Sequence, residues 1–296
     1  MSLGCAVAWA IGVIIYKRLG EQLPPLKLCL LKNLIVLGFI VATITVLVSP
    51  VAPLLGLAQL AYPDLSIQAI ALTAVSGIIG IAVADTLYLR ALNLLGASRM
   101  GIVGNLYSPF VIALSFIFLG ERLTALQFVG FALVMLGVLL VNGTPQSGAP
   151  DTPSQRKGIL VGMISVALMA VAIVMVKRVL ETESFWWVVL VRVAGAVLGL
   201  LALTSVWSSM RAMLRASGQP TRWGVLIVAA FVGQFLSMTL WLAGYKYADA
   251  SVASVLNESA SIFIVIFAVI FLKEAIDRRR VAGILVTFAG VVCMVP

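Results

Sequence analysis

Histidine is absent from this sequence of 296 residues, and charged residues are scarce. Without histidine the chain has no ligands for a haem held by two imidazoles or for a histidine-bound zinc ion, and no base for a serine-histidine triad. Charged residues make up 10% of the chain, whereas soluble domains carry about 25%. Hydrophobic residues make up 62%, and the mean hydropathy is +1.15. The composition therefore predicts an integral membrane protein.

Cysteine is also rare, and the net charge of +9 follows no nucleic-acid-binding pattern. Cys5, Cys29 and Cys293 lie in or beside apolar segments, without the spacing of metal sites or disulfides. We predict no metal site and no cofactor. Most basic residues lie at the ends of apolar runs, where positive charge orients a protein in the bilayer. The lipid bilayer, and not a nucleic acid, is the expected partner.

Ten apolar runs have about the length that a helix needs to cross the hydrocarbon layer. They are 2–18, 28–49, 67–91, 98–119, 124–142, 158–178, 185–206, 223–245, 250–272 and 278–295. The stretch 143–157 is rich in Pro, Gly and Ser, which predicts a flexible linker. The expected architecture is therefore all-α, with ten transmembrane helices in two halves, 1–142 and 158–296.

The two halves repeat each other. At an offset of 153 residues Glu121 of FLGE matches Glu274 of FLKE, and two glycines of each following helix also match. At an offset of 160 residues Lys32 matches Arg192. Each half then holds five helices, and because five is odd the second half enters the membrane from the opposite side. We predict two inverted repeats, with most Lys and Arg on one side and both termini on the other.

This duplicated pattern resembles the drug/metabolite transporter superfamily, of the EamA type. The resemblance rests on the glutamate hairpins, the glycines seven residues apart that follow them, Trp9 and Pro109. It implies a multi-pass carrier of the bacterial inner (plasma) membrane that exports small metabolites, such as amino acids, by alternating access. The chain departs from the family in two respects. Family members usually have cytoplasmic termini, whereas the basic residues here place both termini outside. In the second half, Ile262 occupies the position that matches Pro109, so the proline is not repeated.

Four charged residues lie well inside predicted spans and away from the span ends, namely Lys32, Asp85, Arg192 and Glu258. Insertion scales put the cost of such a residue at about 2.5–3.5 kcal/mol. Similar predicted depths favour two cation-carboxylate pairs, Lys32 with Asp85 and Arg192 with Glu258. The pairs either tie helices together or line a cavity, where a carboxylate can carry a proton and couple transport to the proton gradient.

Polar and aromatic residues within spans are further candidates for the substrate path. Asn105 and Asn257 either line this path or join helices by hydrogen bonds. Trp9, Tyr88 and Trp241 either wall the cavity or pack against other helices and lipid.

The two hairpin glutamates and Pro109 are expected to shape the helix ends. Glu121 and Glu274 either cap helix amides or contact substrate. Pro109 removes a backbone donor in the middle of a predicted helix, which predicts a kink that allows gating.

Other functions fit the sequence less well. An intramembrane enzyme is disfavoured because Asp85 is the only aspartate within a predicted span, and no base accompanies the serines. Few residues lie outside the spans, which disfavours a structural or sensory protein, and no ring of like charge indicates a channel. The mixed charges suit a zwitterion, but if they neutralise one another the cavity suits an uncharged solute. The sequence makes no prediction of oligomeric state.

Overall fold

The computed structural model of this chain describes residues 2–20, 22–142, 153–206, 222–258, 260, 263 and 278–294, and all regular secondary structure in them is helical. The first half contains α1 Ser2–Gly20, α2 Pro25–Val48, α3 Val51–Leu54, α4 Ile67–Gly77, α5 Thr86–Leu95, α6 Ala97–Gly104, α7 Tyr107–Phe118 and α8 Ala125–Asn142. The second half contains α9 Pro153–Thr182, α10 Phe185–Val206, α11 Trp223–Ala230, α12 Ser237–Tyr247, α13 Ala250–Asn257 and α14 Arg278–Met294. Each of the ten apolar runs contains helix in its described part.

Six helical stretches among the described residues are long and apolar enough to span a membrane. They are Pro25–Val48, Ile67–Leu95, Arg99–Phe118, Pro153–Thr182, Phe185–Ser205 and Trp223–Tyr247. Large apolar side chains also lie on the outer surface, where Leu285 and Phe288 are each 66% exposed. This surface suits contact with lipid. Ten spans and the inversion of the halves stay predictions.

Two of the long helices contain a π-helical segment in the middle. Ile78–Asp85 joins α4 to α5, and Phe231–Leu236 joins α11 to α12. Backbone hydrogen bonds of a π-helix join residues five apart instead of four, and such segments are often found at functional sites. The two segments begin 153 residues apart, which is the offset of the sequence repeat.

Close helix crossings join the two halves. A Cβ atom built on Gly233, in the second π segment, would lie 2.5 Å from Cα of Gly12 in α1. One built on Gly80, in the first π segment, would lie 2.7 Å from Cβ of Ala172 in α9. Small residues allow such close approach between membrane helices. The first helix of each half therefore packs against the π segment of the other half.

The helix around Pro109 is interrupted earlier than the sequence predicts. A turn at Asn105 and Leu106 separates α6 from α7, and Pro109 is the third residue of α7. The first four amides of a helix have no intrahelical acceptor, so a proline there removes no hydrogen bond. The prediction of a kink at Pro109 is therefore wrong in position, because the proline lies in the first turn of a new helix.

Candidate substrate cavity

A cavity of about 240 Å³ lies between the helices of the two halves. Eight of the nine sequence-predicted path residues line it: Trp9, Asp85, Tyr88, Asn105, Arg192, Trp241, Asn257 and Glu258. The ninth, Lys32, is fully buried and contacts Asp85. The cavity thus brings together groups from α1, both π-containing helices, α10, the turn between α6 and α7 and the C-terminal end of α13.

Several lining residues occupy equivalent positions of the sequence repeat. Tyr88 matches Trp241 and Asn105 matches Glu258 at the offset of 153 residues, whereas Trp9 matches Met169 at the offset of 160. The matched positions share their chemistry only in part, because Tyr88 and Trp241 are both aromatic whereas Asn105 is neutral and Glu258 is acidic.

Sequence reasoning missed several other lining residues, including Tyr107, Met169, Gln234, Ser237 and Met238. The repeat contains a signal for some of them. Met169 matches Trp9 at the offset of 160, and Met238 matches Asp85 at the offset of 153.

The predicted ion pair between Lys32 and Asp85 is confirmed. Lys32 is 0% exposed and Asp85 is 4% exposed, and Nζ of Lys32 contacts Oδ2 of Asp85. Nζ also donates to Oε1 of Gln234 at 3.3 Å and lies 4.9 Å from the ring centroid of Tyr16. Because Gln234 belongs to the second half, this ion pair also joins the halves.

The predicted ion pair between Arg192 and Glu258 is wrong. Both residues are described, and no salt bridge joins them. Oε1 of Glu258 instead accepts a hydrogen bond from Oγ of Ser108 at 2.8 Å. The guanidinium carbon of Arg192 lies 5.7 Å from the ring centroid of Trp241. The repeat gives the reason, because Met238 stands where the first half has Asp85.

Several polar groups of the cavity have no protein partner. Among the described residues, none accepts a hydrogen bond from Nε or Nη1 of Arg192, and none pairs with Nδ2 of Asn105 or with either side-chain polar atom of Asn257. Buried polar groups are almost always hydrogen-bonded to protein or water. These groups are therefore available to a bound solute or to water.

Aromatic side chains form much of the remaining wall. The rings of Trp9 and Tyr88 lie 5.9 Å apart, and those of Trp241 and Tyr245 lie 5.0 Å apart. The hydroxyls of Tyr107 and Tyr245 are hydrogen-bonded at 2.8 Å. Aromatic rings offer apolar area together with a few fixed polar groups, which is the usual character of a small-molecule site.

Glu121 caps a helix, as one of its two sequence interpretations proposes, and it is not among the residues that line the cavity. The helix that it caps is α13 of the other half and not α8, which directly follows it. Glu274 lies outside the described residues.

Helices that expose apolar side chains and enclose a cavity of polar and aromatic groups are typical of membrane proteins that bind small molecules. The EamA-like transporter family model matches residues 1–143 and 156–295. The chain therefore belongs to the EamA-like transporter family and is an integral, multi-pass membrane protein.

Relatives agree with this assignment. An uncharacterized transporter of Archaeoglobus fulgidus is 21% identical over 296 residues, which cover 99% of this chain and 96% of that protein. A solved crystal structure superposes with a TM-score of 0.70 at 17% identity, covering 100% of this chain and 97% of the other. The latter similarity shows the fold alone. The family and the name of the relative point to transport.

Proposed function

We propose that the protein is a secondary transporter that moves a small metabolite by alternating access. The main observation behind this proposal is the position of the cavity, because residues of both halves line it, from Cys5 to Tyr107 in the first half and from Val166 to Ala260 in the second. A movement of one half against the other would open such a cavity to either side. Its volume of about 240 Å³ is below the roughly 300–1,000 Å³ of sites for drug-sized ligands, so the solute is small.

The mechanism that we propose uses two inverted five-helix repeats, 1–142 and 158–296, joined by the linker 143–157. The equal spacing of the π segments supports this division, as do the reciprocal crossings of Gly12 with Gly233 and of Gly80 with Ala172. Inverted repeats produce two related shapes when the halves exchange conformations, and those shapes open the site to opposite sides.

We also propose that Glu258 couples transport to the proton gradient. It is 8% exposed, lines the cavity and has no cation within ion-pair distance among the described residues. Asp85 was an equal candidate from sequence, but its charge is balanced by Lys32. A carboxylate without a fixed counter-ion is better suited to bind and release a proton during the cycle.

Export across the bacterial inner membrane is the direction and location that the family resemblance supports. Reconstitution into liposomes with labelled amino acids, nucleosides and organic acids tests transport itself. Accumulation of unchanged solute supports the carrier, whereas a chemically converted product supports an intramembrane enzyme.

Labelling of introduced thiols tests the inversion. Gln22 and Thr182 are equivalent at the offset of 160 residues, and both are exposed. In a background without native cysteines, single cysteines at these two positions should react with an impermeant maleimide from opposite sides of the membrane. Labelling of both from one side would contradict the inverted arrangement.

A further inference from the structure

We propose that Arg192 binds a carboxylate group of the transported solute, which is therefore a small organic monoanion or carries one carboxylate among its polar groups. This inference rests on the proposed transport function and names the substrate class of that same cavity. The observation behind it is that Arg192 lines the cavity as a buried cation, and that two of its hydrogen-bond donor atoms, Nε and Nη1, have no acceptor among the described residues.

Arg192 places a positive charge in the cavity wall, and no carboxylate among the described residues lies within ion-pair distance of it. The residue is 2% exposed, and no described residue accepts a hydrogen bond from Nε or Nη1. A guanidinium cannot lose its proton in a protein. Because a buried charge is costly without a partner, the cavity favours a solute that brings a negative charge.

Comparison with Lys32 shows that this lack of a partner is specific to the second half. Lys32 and Arg192 are equivalent at the offset of 160 residues, but only Lys32 has a carboxylate against it. In the second half the position of Asp85 is occupied by Met238. Of these two equivalent cations, only Lys32 has a carboxylate of the protein against it, so a solute can provide the carboxylate for Arg192.

The geometry around the guanidinium suits a carboxylate. Its central carbon lies 5.7 Å from the ring centroid of Trp241, a contact that helps to hold the planar group in place. A Cβ atom on residue 80 would lie 3.1 Å from Nη2, so Gly80 leaves room beside the guanidinium. The fork of N–H donors of an arginine matches the two oxygens of a carboxylate.

Charge and size favour a carboxylate over a phosphate. A phosphate monoester carries a charge of about −1.5 to −2 at neutral pH, whereas Arg192 is one cation and the nearby wall also contains Asp85 and Glu258. Lys32 is already paired with Asp85. A monoanion balances Arg192 alone, and the rings of Trp9 and Tyr88 in the same wall suit an apolar body.

Equilibrium binding to the purified, full-length protein tests the inference with matched probes. Phenylacetate and isobutyrate differ from phenylacetamide and isobutyramide in the charged group alone. We expect the parent protein to bind each carboxylate at least about tenfold tighter than its amide, as hydrogen bonds between charged groups imply. Arg192→Gln should remove this preference, and Arg192→Lys should keep part of it because the charge remains without the fork.

Lys246→Gln is the matched control, because it also removes one positive charge but lies outside the cavity, where Nζ of Lys246 donates to the carbonyl oxygen of Leu180 at 2.7 Å. This variant should keep the parent preference. Equal binding of carboxylates and amides by the parent, or a preference that survives Arg192→Gln in folded protein, would overturn the inference. Inorganic phosphate that competes as strongly as phenylacetate would also overturn it.

Transport measurements separate this inference from the proposed function. If carboxylate binding depends on Arg192 but no solute enters liposomes, the binding site stands and the transport function fails. If Arg192→Gln carries carboxylates as fast and with the same KM as the parent, transport stands and the role of Arg192 is refuted. Should Arg192→Gln fail to fold, Arg192→Lys and the comparison of carboxylates with amides in the parent still decide the matter.

Discussion

Glu121 accepts hydrogen bonds from both the backbone N–H and the hydroxyl of Ser251, at 2.9 Å and 2.7 Å, although the two residues belong to different halves. Its other carboxylate oxygen accepts from the backbone N–H of Ala250 at 2.8 Å. A carboxylate at this place satisfies amides that have no acceptor within α13 and interacts favourably with the helix dipole. The hairpin that ends α7 is thereby attached to the beginning of α13.

Removing this cap should destabilise the protein. We expect Glu121→Ala to lower the free energy of unfolding by about 1–2 kcal/mol, because three donors lose a charged acceptor. Glu121→Gln should cost less, since one side-chain oxygen remains. Thermal unfolding of purified protein measures both. Arg122, the exposed neighbour of Glu121, provides the control, and Arg122→Gln should have the melting temperature of the parent protein. A Glu121→Ala protein as stable as the parent would show that the cap contributes nothing.

The ion pair of Lys32 and Asp85 should show strong coupling in a double-mutant cycle. Lys32→Met leaves a buried carboxylate without its cation, and we expect a loss of about 3–5 kcal/mol. Asp85→Leu leaves the buried Lys32 ammonium group without its carboxylate, and we expect a similar loss. The double variant should be considerably more stable than the sum of the two losses predicts, because it leaves neither charge unpaired. Denaturant unfolding provides the energies, and additive losses would contradict an energetically coupled pair.

Most of the predicted cavity-lining residues could be found from the sequence because polar and aromatic residues are unusual within apolar spans. In a membrane helix such residues avoid lipid, so Asn105, Glu258 and Arg192 were expected to face the interior of the helix bundle. Depth along the span also paired Lys32 with Asp85. The confirmed contact between them shows that this information was sufficient for that pair.

Similar depth along the predicted spans was not enough to predict whether Arg192 and Glu258 are in contact. Two residues at equal depth meet only if their helices are neighbours and both side chains point to the same place, and neither condition follows from hydropathy. The repeat held the missing information, since it puts Met238 opposite Arg192 and matches Glu258 with Asn105. The partner of Glu121 was also beyond sequence reasoning, because a cap on a helix of the other half depends on how the halves pack.

Glu258 should determine the pH dependence of transport. Glutamine resembles the protonated carboxylic acid and cannot release the proton, so Glu258→Gln should make the transport rate in liposomes insensitive to an imposed pH gradient. Asp85→Asn is the comparison, and we expect it to retain the parent response to the gradient, at a lower rate, because its carboxylate pairs with Lys32. The same pH dependence in Glu258→Gln as in the parent would remove Glu258 from the coupling mechanism.

The crossing of Gly12 and Gly233 should tolerate no side chain. A Cβ atom on Gly233 would lie 2.5 Å from Cα of Gly12, so Gly233→Ala must push α1 away from the second π segment. Overpacking of this kind costs about 1–3 kcal/mol, and we expect a lower melting temperature together with slower transport. Gly38 in α2 offers the matched control, because a Cβ atom there meets nothing within 4 Å. Gly38→Ala should leave stability unchanged or raise it by up to about 1 kcal/mol, since alanine favours helix. Equal melting temperatures for the two alanine variants would show that the contact between α1 and the second half is looser than the structure describes. The proposal of alternating access would then lose one of the two reciprocal helix crossings that support it.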